Sequence, residues 1–316
     1  MLAHLAHISL SLSLIINAGC AADMTTFNDE GLQAAVTRSE PFSVGLVQFP
    51  SISPDGQTII YSWAGDLWAV EAKGGLASRL TSHPAIERRS AFSPDGKMIA
   101  FDSEREGGRN LFTAPLVRSS TGAYATGGIR RITYIDRPQQ LSAFTPDGSA
   151  LLLWGALDPS IYRMTKMYRV PLDAGDTPAI TKITEAFGNS PRYTLDGKNV
   201  LFTQDTPEQF RPKYRGSGTT DVWSMNLADG SFKQVSTNPA TDFNAFPCAD
   251  GSVVFISSRD GTNNLWRIAP GATDEQAKQL TNFAPSTGEL TIAHGVRDLN
   301  VNPSGTTAVF CVWDTL

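Results

Sequence analysis

The chain has 316 residues, 41% of them hydrophobic and 18% charged, a composition that can bury a large core and that sets disorder aside. Its formal net charge of −5 lacks the basic excess needed to neutralise a phosphate backbone, which argues against a nucleic-acid partner. No block of like charge forms an interaction tail.

Residues 1–22 read as a leader. The apolar run at residues 8–18 is short for a membrane span and suits an export signal, although only His4 and His7 stand where Lys or Arg is usual. Ala18-Gly19-Cys20 resembles a lipoprotein box, which makes Cys20 a candidate for lipidation, with Asn17 where an aliphatic residue is usual. Either an export signal or a lipid anchor places the protein in the periplasm or cell envelope. The alternative is a start at Met24 and a cytoplasmic protein. Residues 23–41 form an N-terminal segment and residues 42–316 a single domain. Cys248 and Cys311 are expected as buried free thiols.

The domain is built from a repeat. Successive copies begin PSISPDG at Pro50, SAFSPDG at Ser90, SAFTPDG at Ser142, SPRYTLDG at Ser190, AFPCADG at Ala245 and LNVNPSG at Leu299. Their turn glycines, Gly56, Gly96, Gly148, Gly197, Gly251 and Gly305, are 40, 52, 49, 54 and 54 residues apart, the length of one four-stranded propeller blade with variable loops. Pro presets φ, Asp bonds its own backbone and Gly tolerates positive φ, so each motif reverses the chain. The β-branched and aromatic run that follows reads as a buried strand. A third strand carries Asp66-Leu67-Trp68, Asn110-Leu111-Phe112, Lys166-Met167-Tyr168, Asp221-Val222-Trp223 and Asn264-Leu265-Trp266. A fourth carries Arg79-Leu80-Thr81, Arg131-Ile132-Thr133, Lys182-Ile183-Thr184, Gln234-Val235-Ser236 and Gln279-Leu280-Thr281. The pattern predicts an all-β propeller of about six four-stranded blades. The last is incomplete, or is closed by an N-terminal strand at residues 42–48.

The segments FSVGLVQFPSISPDGQTIIYSWAGDLWAVEAKGG, GIRRITYIDRP and KYRGSGTTDVWSMNLADGSFKQVSTNP resemble the first, six-bladed propeller of tricorn-type peptidases, and the S-P-D-G repeats are also similar to those of Tol-type periplasmic propellers. In tricorn-type peptidases a second propeller, a PDZ domain and two catalytic subdomains follow, and none of these is in this sequence. The resemblance therefore implies a propeller without the family's nucleophile and histidine. It also points to the loop at residues 135–141, where the family holds a substrate carboxylate with two adjacent arginines. Here that loop carries only Arg137.

The residues themselves point to binding rather than catalysis. Beyond the leader only His83 and His294 remain as bases, no G-x-S-x-G elbow is present, and no His, Cys or carboxylate cluster has metal-ligand spacing. No catalytic, metal or cofactor site is assigned. Residues 259–264 read as a hairpin turn rather than a calcium loop, and the Ser/Thr/Gly-rich insert at residues 118–128 as a flexible loop. The insert at residues 206–220 interleaves Arg211, Lys213 and Arg215 with Phe210 and Tyr214, so Arg211, Lys213, Tyr214 and Arg215, with Arg137, are the candidate ligand-binding residues. The expected partner is a peptide or protein, with membrane contact only through a lipid on Cys20. The alternative is the front part of a truncated or split tricorn-like serine peptidase.

Overall fold

A computed structural model describes residues 6–8, 16–17, 47–158, 164–173, 179–205, 212–283 and 295–313. Its sheets follow one another around a ring, each an antiparallel meander in sequence order. Blade 1 is Gln48–Ile52, Thr58–Trp63, Asp66–Glu71 and Ser78–Arg79. Blade 2 is Glu87–Phe92, Met98–Ser103 and Asn110–Arg118, whose long third strand pairs with both Tyr124–Thr126 and Arg130–Arg131. Blade 3 is Gln139–Phe144, Ala150–Gly155, Lys166–Pro171 and Thr181–Lys182. Blade 4 is Asn189–Tyr193, Asn199–Thr203, Val222–Asn226 and Phe232–Gln234. Blade 5 is Asp242–Pro247, Val253–Ser257, Asn264–Ile268 and Lys278–Gln279. The all-β propeller expectation holds, and a 3-10 turn at Asp274–Gln276 is the helical element among the described residues.

The blade count is corrected. Five blades, rather than six, are complete among the described residues. The sixth sheet consists of Gly295–Val301 and Ala308–Trp313, with short segments Ala6–Ile8 and Ile16–Asn17 paired to its outer edge. Of the candidate closing strand at residues 42–48, Gln48 pairs with Ser62 inside blade 1 rather than with the sixth sheet, and the Val47 carbonyl receives the Cys311 thiol at 3.3 Å. Residues 42–46, like Cys20 and the rest of residues 1–41 apart from those short segments, lie outside the described residues.

Apolar clusters fill the space between neighbouring sheets, so that blade 1 buries both of its faces. Ile60 and Leu67 meet Phe101 and Phe112 between blades 1 and 2, and Leu111 meets Leu151 and Leu153 between blades 2 and 3. Val254 and Leu265 of blade 5 meet Val296 and Phe310 of the sixth sheet, whose Val309 and Cys311 pack in turn on Ile59 and Val70 of blade 1. Both thiols are buried, and burial raises their pKa values.

The recurrent polar residues are explained locally. Two residues past the outer strands a hydroxyl replaces a backbone acceptor: Thr81, Thr133, Ser236 and Thr281 accept the backbone N–H of Leu67, Leu111, Val222 and Leu265 at 2.8–2.9 Å. In the S-P-D-G turns the Ser or Thr hydroxyl donates to the Asp carboxylate, which also accepts the backbone N–H two residues on. The Asp147 carboxylate receives Thr145 Oγ1 at 2.5 Å and Ser149 N at 3.0 Å. These bonds hold the Asp147 pKa down at about 2. Because the folded pKa is depressed, the associated stability is present above about pH 4 and is lost as pH falls toward 2. Asp147→Asn is expected to lower the urea midpoint at pH 7 and to match the parent below about pH 2, measured by denaturation across pH.

The insert at residues 118–128 is not a loose loop. Its return strand pairs with the third strand of blade 2, and Tyr124, buried against blade 1, shares a hydrogen bond with Thr58 Oγ1 at 2.9 Å.

Candidate functional site: the central cavity

The first strand of every sheet is broken at the same place by a register shift: between Gln48 and Ser51, Arg88 and Ala91, Leu141 and Ala143, Asn189 and Arg192, Phe243 and Phe246, and Arg297 and Asn300. A bulge of this kind bends the strand and re-aims a side chain. At five of the six bulges a non-glycine residue takes a left-handed backbone: Phe49, Arg89, Ser190, Asn244 and Asp298, with φ between 46° and 53°. Each such residue costs about 1–2 kcal/mol and persists only where the surrounding structure imposes it.

All five line one cavity of about 350 Å³ at the centre of the ring, together with Leu141 of blade 3. Each stands seven residues before its turn glycine, so the repeat count alone locates them. That register was the sequence feature able to reveal the site. It is not conspicuous, because the six residues share no chemistry.

Hydrogen bonds link the first strands around this cavity. Ser51 Oγ meets Ser90 Oγ at 2.6 Å, and Ser142 Oγ donates to the Pro191 carbonyl at 2.7 Å. Asn244 Nδ2 donates to the Leu299 carbonyl at 3.3 Å. Asn300 Oδ1 accepts the Ile52 N–H at 3.1 Å, carrying the network from the sixth sheet back to blade 1.

Three arginines line the cavity. Arg89 stacks on the Phe49 ring at 4.2 Å and lies 3.6 Å from the carboxylate of buried Asp102. Burial lifts the Asp102 pKa to about 6 against the pull of Arg89. Arg297 pairs with Asp298 at 2.9 Å. Among the described residues Arg192 has no carboxylate beside it. Its guanidinium lies over the Phe246 ring at 3.6 Å, Nη1 donates to the Ser190 carbonyl and to Asn244 Oδ1, and burial lowers its pKa to about 9, which still leaves it charged at neutral pH.

No His, Cys or Glu is among the lining residues, and Asp298, the one carboxylate, is held by Arg297. Neither Ser90 nor Ser142 has a base to activate it. A wider hollow of about 570 Å³ lies on the opposite face, between the turns of blades 1 and 2. Its Lys73 and Arg118 are both paired with Glu71.

The residues singled out from the sequence lie elsewhere. Arg137 is exposed, with Nη1 on the Asp158 carbonyl at 3.0 Å. Arg215 donates to the carbonyls of Pro212, Tyr214 and Ser258, so it fastens its own insert to the turn of blade 5. Tyr214 accepts the Gly218 N–H at 3.4 Å, and the Lys213 side chain runs beside Gly261. Arg211 and His294 lie outside the described residues. His83 Nδ1 accepts the Ala85 N–H at 3.1 Å, a turn-stabilising bond. Asp260 binds the side chains of Asn264 and Gln279, as a hairpin turn does. Among the described residues no three His, Cys, Asp or Glu side chains gather in a metal-binding cluster.

The family described as the tricorn protease N-terminal beta propeller domain matches residues 44–295. Tricorn protease of Thermoplasma acidophilum is 26% identical over 239 residues, which are 72% of this chain and 21% of that protein. The Tol-Pal system protein TolB of Francisella tularensis subsp. mediasiatica is 29% identical over 215 residues, 66% of this chain and 45% of that protein. The chain thus spans less than half the length of these relatives. The crystal structure of tricorn protease superposes with a TM-score of 0.65 at 21% identity, covering 85% of this chain and 24% of that one. A protein of Agrobacterium tumefaciens described as TolB superposes with a TM-score of 0.64 at 19% identity, covering 87% of this chain and 93% of that one. At these identities the structural likeness is one of fold.

Proposed function

This chain belongs to the tricorn protease N-terminal β-propeller family, and from that premise we propose that it is a non-catalytic binding module whose central cavity receives a peptide or protein segment. One observation carries the reading: the six first strands send chemically unlike side chains into a shared cavity from a position where the backbone of five of them is held in a strained conformation. A residue needed only for folding would repeat from blade to blade, as the turn glycines do. These six do not. The cell envelope is the place this reading assigns to the protein. Its support is the leader-like N-terminus and the similarity to Tol-Pal system proteins. The sixth sheet, packed between blade 5 and blade 1, completes the ring in this reading.

A photo-crosslinking residue in place of Ser190, in the cavity, is expected to trap a partner from envelope extract, with peptides added to the same sample recovered uncut. The same residue at Leu76, on the exposed rim, should trap none. Adducts at position 76 alone would move the site, and reproducible peptide turnover by homogeneous protein would end the non-catalytic reading. The second reading is the front part of a tricorn-like peptidase, favoured by the family match and by the 21% of the archaeal protease that the similarity covers. In that case the cavity serves catalytic domains on another stretch of chain or on a partner.

A further inference from the structure

The geometry points to Arg192 as the residue that selects a carboxylate-bearing ligand in the central cavity, an inference that rests on the peptide-binding reading above. The other five sheets place Ser51, Ala91, Ala143, Phe246 and Asn300 at the corresponding position, five residues before the turn glycine, so the arginine in blade 4 is a departure that the repeat does not require. Its plane is set on two sides. The Phe246 ring lies 3.6 Å beneath it, and Nη1 is bound at 3.3 Å to the Ser190 carbonyl and at 3.2 Å to Asn244 Oδ1, two groups at left-handed bulge residues. The other edge of the guanidinium, Nε and Nη2, has no acceptor among the described residues, although the side chain lines the cavity. A guanidinium enclosed in protein without a counter-ion carries a desolvation penalty that an arriving anion relieves. The Nε/Nη2 edge is the fork that binds a carboxylate through two parallel hydrogen bonds.

Charge narrows the ligand class. Arg89 faces Asp102 and Arg297 faces Asp298, so among the described residues Arg192 supplies the one positive charge of the cavity without a carboxylate beside it. One uncompensated charge, in a cavity whose other two arginines each face an acid, matches a singly charged planar carboxylate and opposes a dianionic phosphate. The carboxylate comes either from a peptide C-terminus or from an Asp or Glu side chain, and the test separates the two.

Three pools of fluorescently labelled random octapeptides are compared by anisotropy: a free C-terminal acid without Asp or Glu, the same pool as C-terminal amides, and amides with one fixed Asp. The wild type is expected to bind the first or the third pool about tenfold or more tightly than the amide pool. Arg192→Gln should erase the difference while keeping the unfolding temperature. Arg192→Lys should restore only part of it, because lysine lacks the planar fork. Equal affinity for all three pools, or a preference that survives Arg192→Gln, overturns the inference and leaves peptide binding in place. If no pool binds, N-acetylglycine is titrated against N-acetylglycinamide using the fluorescence of Trp154, another lining residue, with Trp154→Phe as control. An Arg192-dependent response to the acid alone upholds the carboxylate site and removes the peptide reading, and no response overturns both.

Discussion

Arg259→Ala is expected to destabilise the protein by about 3–5 kcal/mol, because it leaves two buried carboxylates facing each other without their cation. Arg259 Nη2 lies 2.8 Å from Asp274 Oδ1 and 3.2 Å from Asp242 Oδ2, and all three residues are almost wholly buried. Nε also donates to Ser257 Oγ at 2.8 Å, and the guanidinium stacks on Trp266 at 4.8 Å. The second oxygen of Asp274 accepts the backbone N–H groups of Thr237 and Asn238, in the chain that enters blade 5 from blade 4. The loss therefore reaches beyond one ion pair: the connection between two blades is anchored on a carboxylate that the arginine holds in place. Urea denaturation of the variant beside the parent measures the cost, and a change below about 1 kcal/mol would show that the cluster relaxes or hydrates freely.

The same cluster makes a pH prediction. Burial pushes the Asp242 pKa up to about 7, against the opposing pull of Arg259. A carboxyl whose folded pKa lies above its unfolded value contributes stability that is full below about pH 4 and is lost as pH rises through about 7. Asp102, raised to about 6 beside Arg89, acts in the same direction. Parent stability should decline between about pH 5 and pH 8, and Asp242→Asn should flatten, though not abolish, that decline.

Phe101→Ala is the second large effect, also about 3–5 kcal/mol, from lost burial and the cavity left behind. The ring is fully buried between blades 1 and 2, packed with Ile60, Leu67 and Leu80 of one and with Ile99 and Phe112 of the other. It stacks on Phe112 with centroids 5.9 Å apart, and Arg105 lies over both rings while pairing with Glu87, which is fully buried. Truncation therefore loosens both an apolar seam and the seat of an ion pair. The Phe101 and Arg259 sites share no partner, so the double variant should show the sum of the two losses within about 0.5 kcal/mol, measured in the same denaturation series.

Arg105 and Arg259 illustrate how far the repeat can be read. Both follow the second strand of their blades and both neutralise a buried acid at the start of the first strand, Glu87 in one case and Asp242 in the other. Reading the arginine stretch from sequence as a hairpin turn is correct for the backbone, but it misses the side chain, since the acid it meets lies some 17 residues upstream. The insert at residues 118–128 shows the opposite error. Its small polar residues look like a loose loop, while one aromatic, Tyr124, finds a buried seat on the neighbouring blade and makes the insert a hairpin.

What the sequence determined by itself was local. Pro, Asp and Gly in the turns, the β-branched strands, the aromatic third strand and the hydroxyl that caps it each act through neighbours in sequence or across a hairpin, so their spacing was enough to define the blade and the propeller. Only the tertiary structure decided how many blades are complete, what pairs with the outer edge of the sixth sheet, and where the central cavity lies. The basic insert and Arg137 drew attention because clustered charge is visible in a string of letters, yet the described residues among them are turned to backbone carbonyls or to the surface. At the heart of the cavity are bulge residues about 40 to 54 positions apart, one from each sheet. They are brought together by closure of the ring and turned inward by bulges whose left-handed backbone no local preference of Phe49, Arg89 or Ser190 would predict.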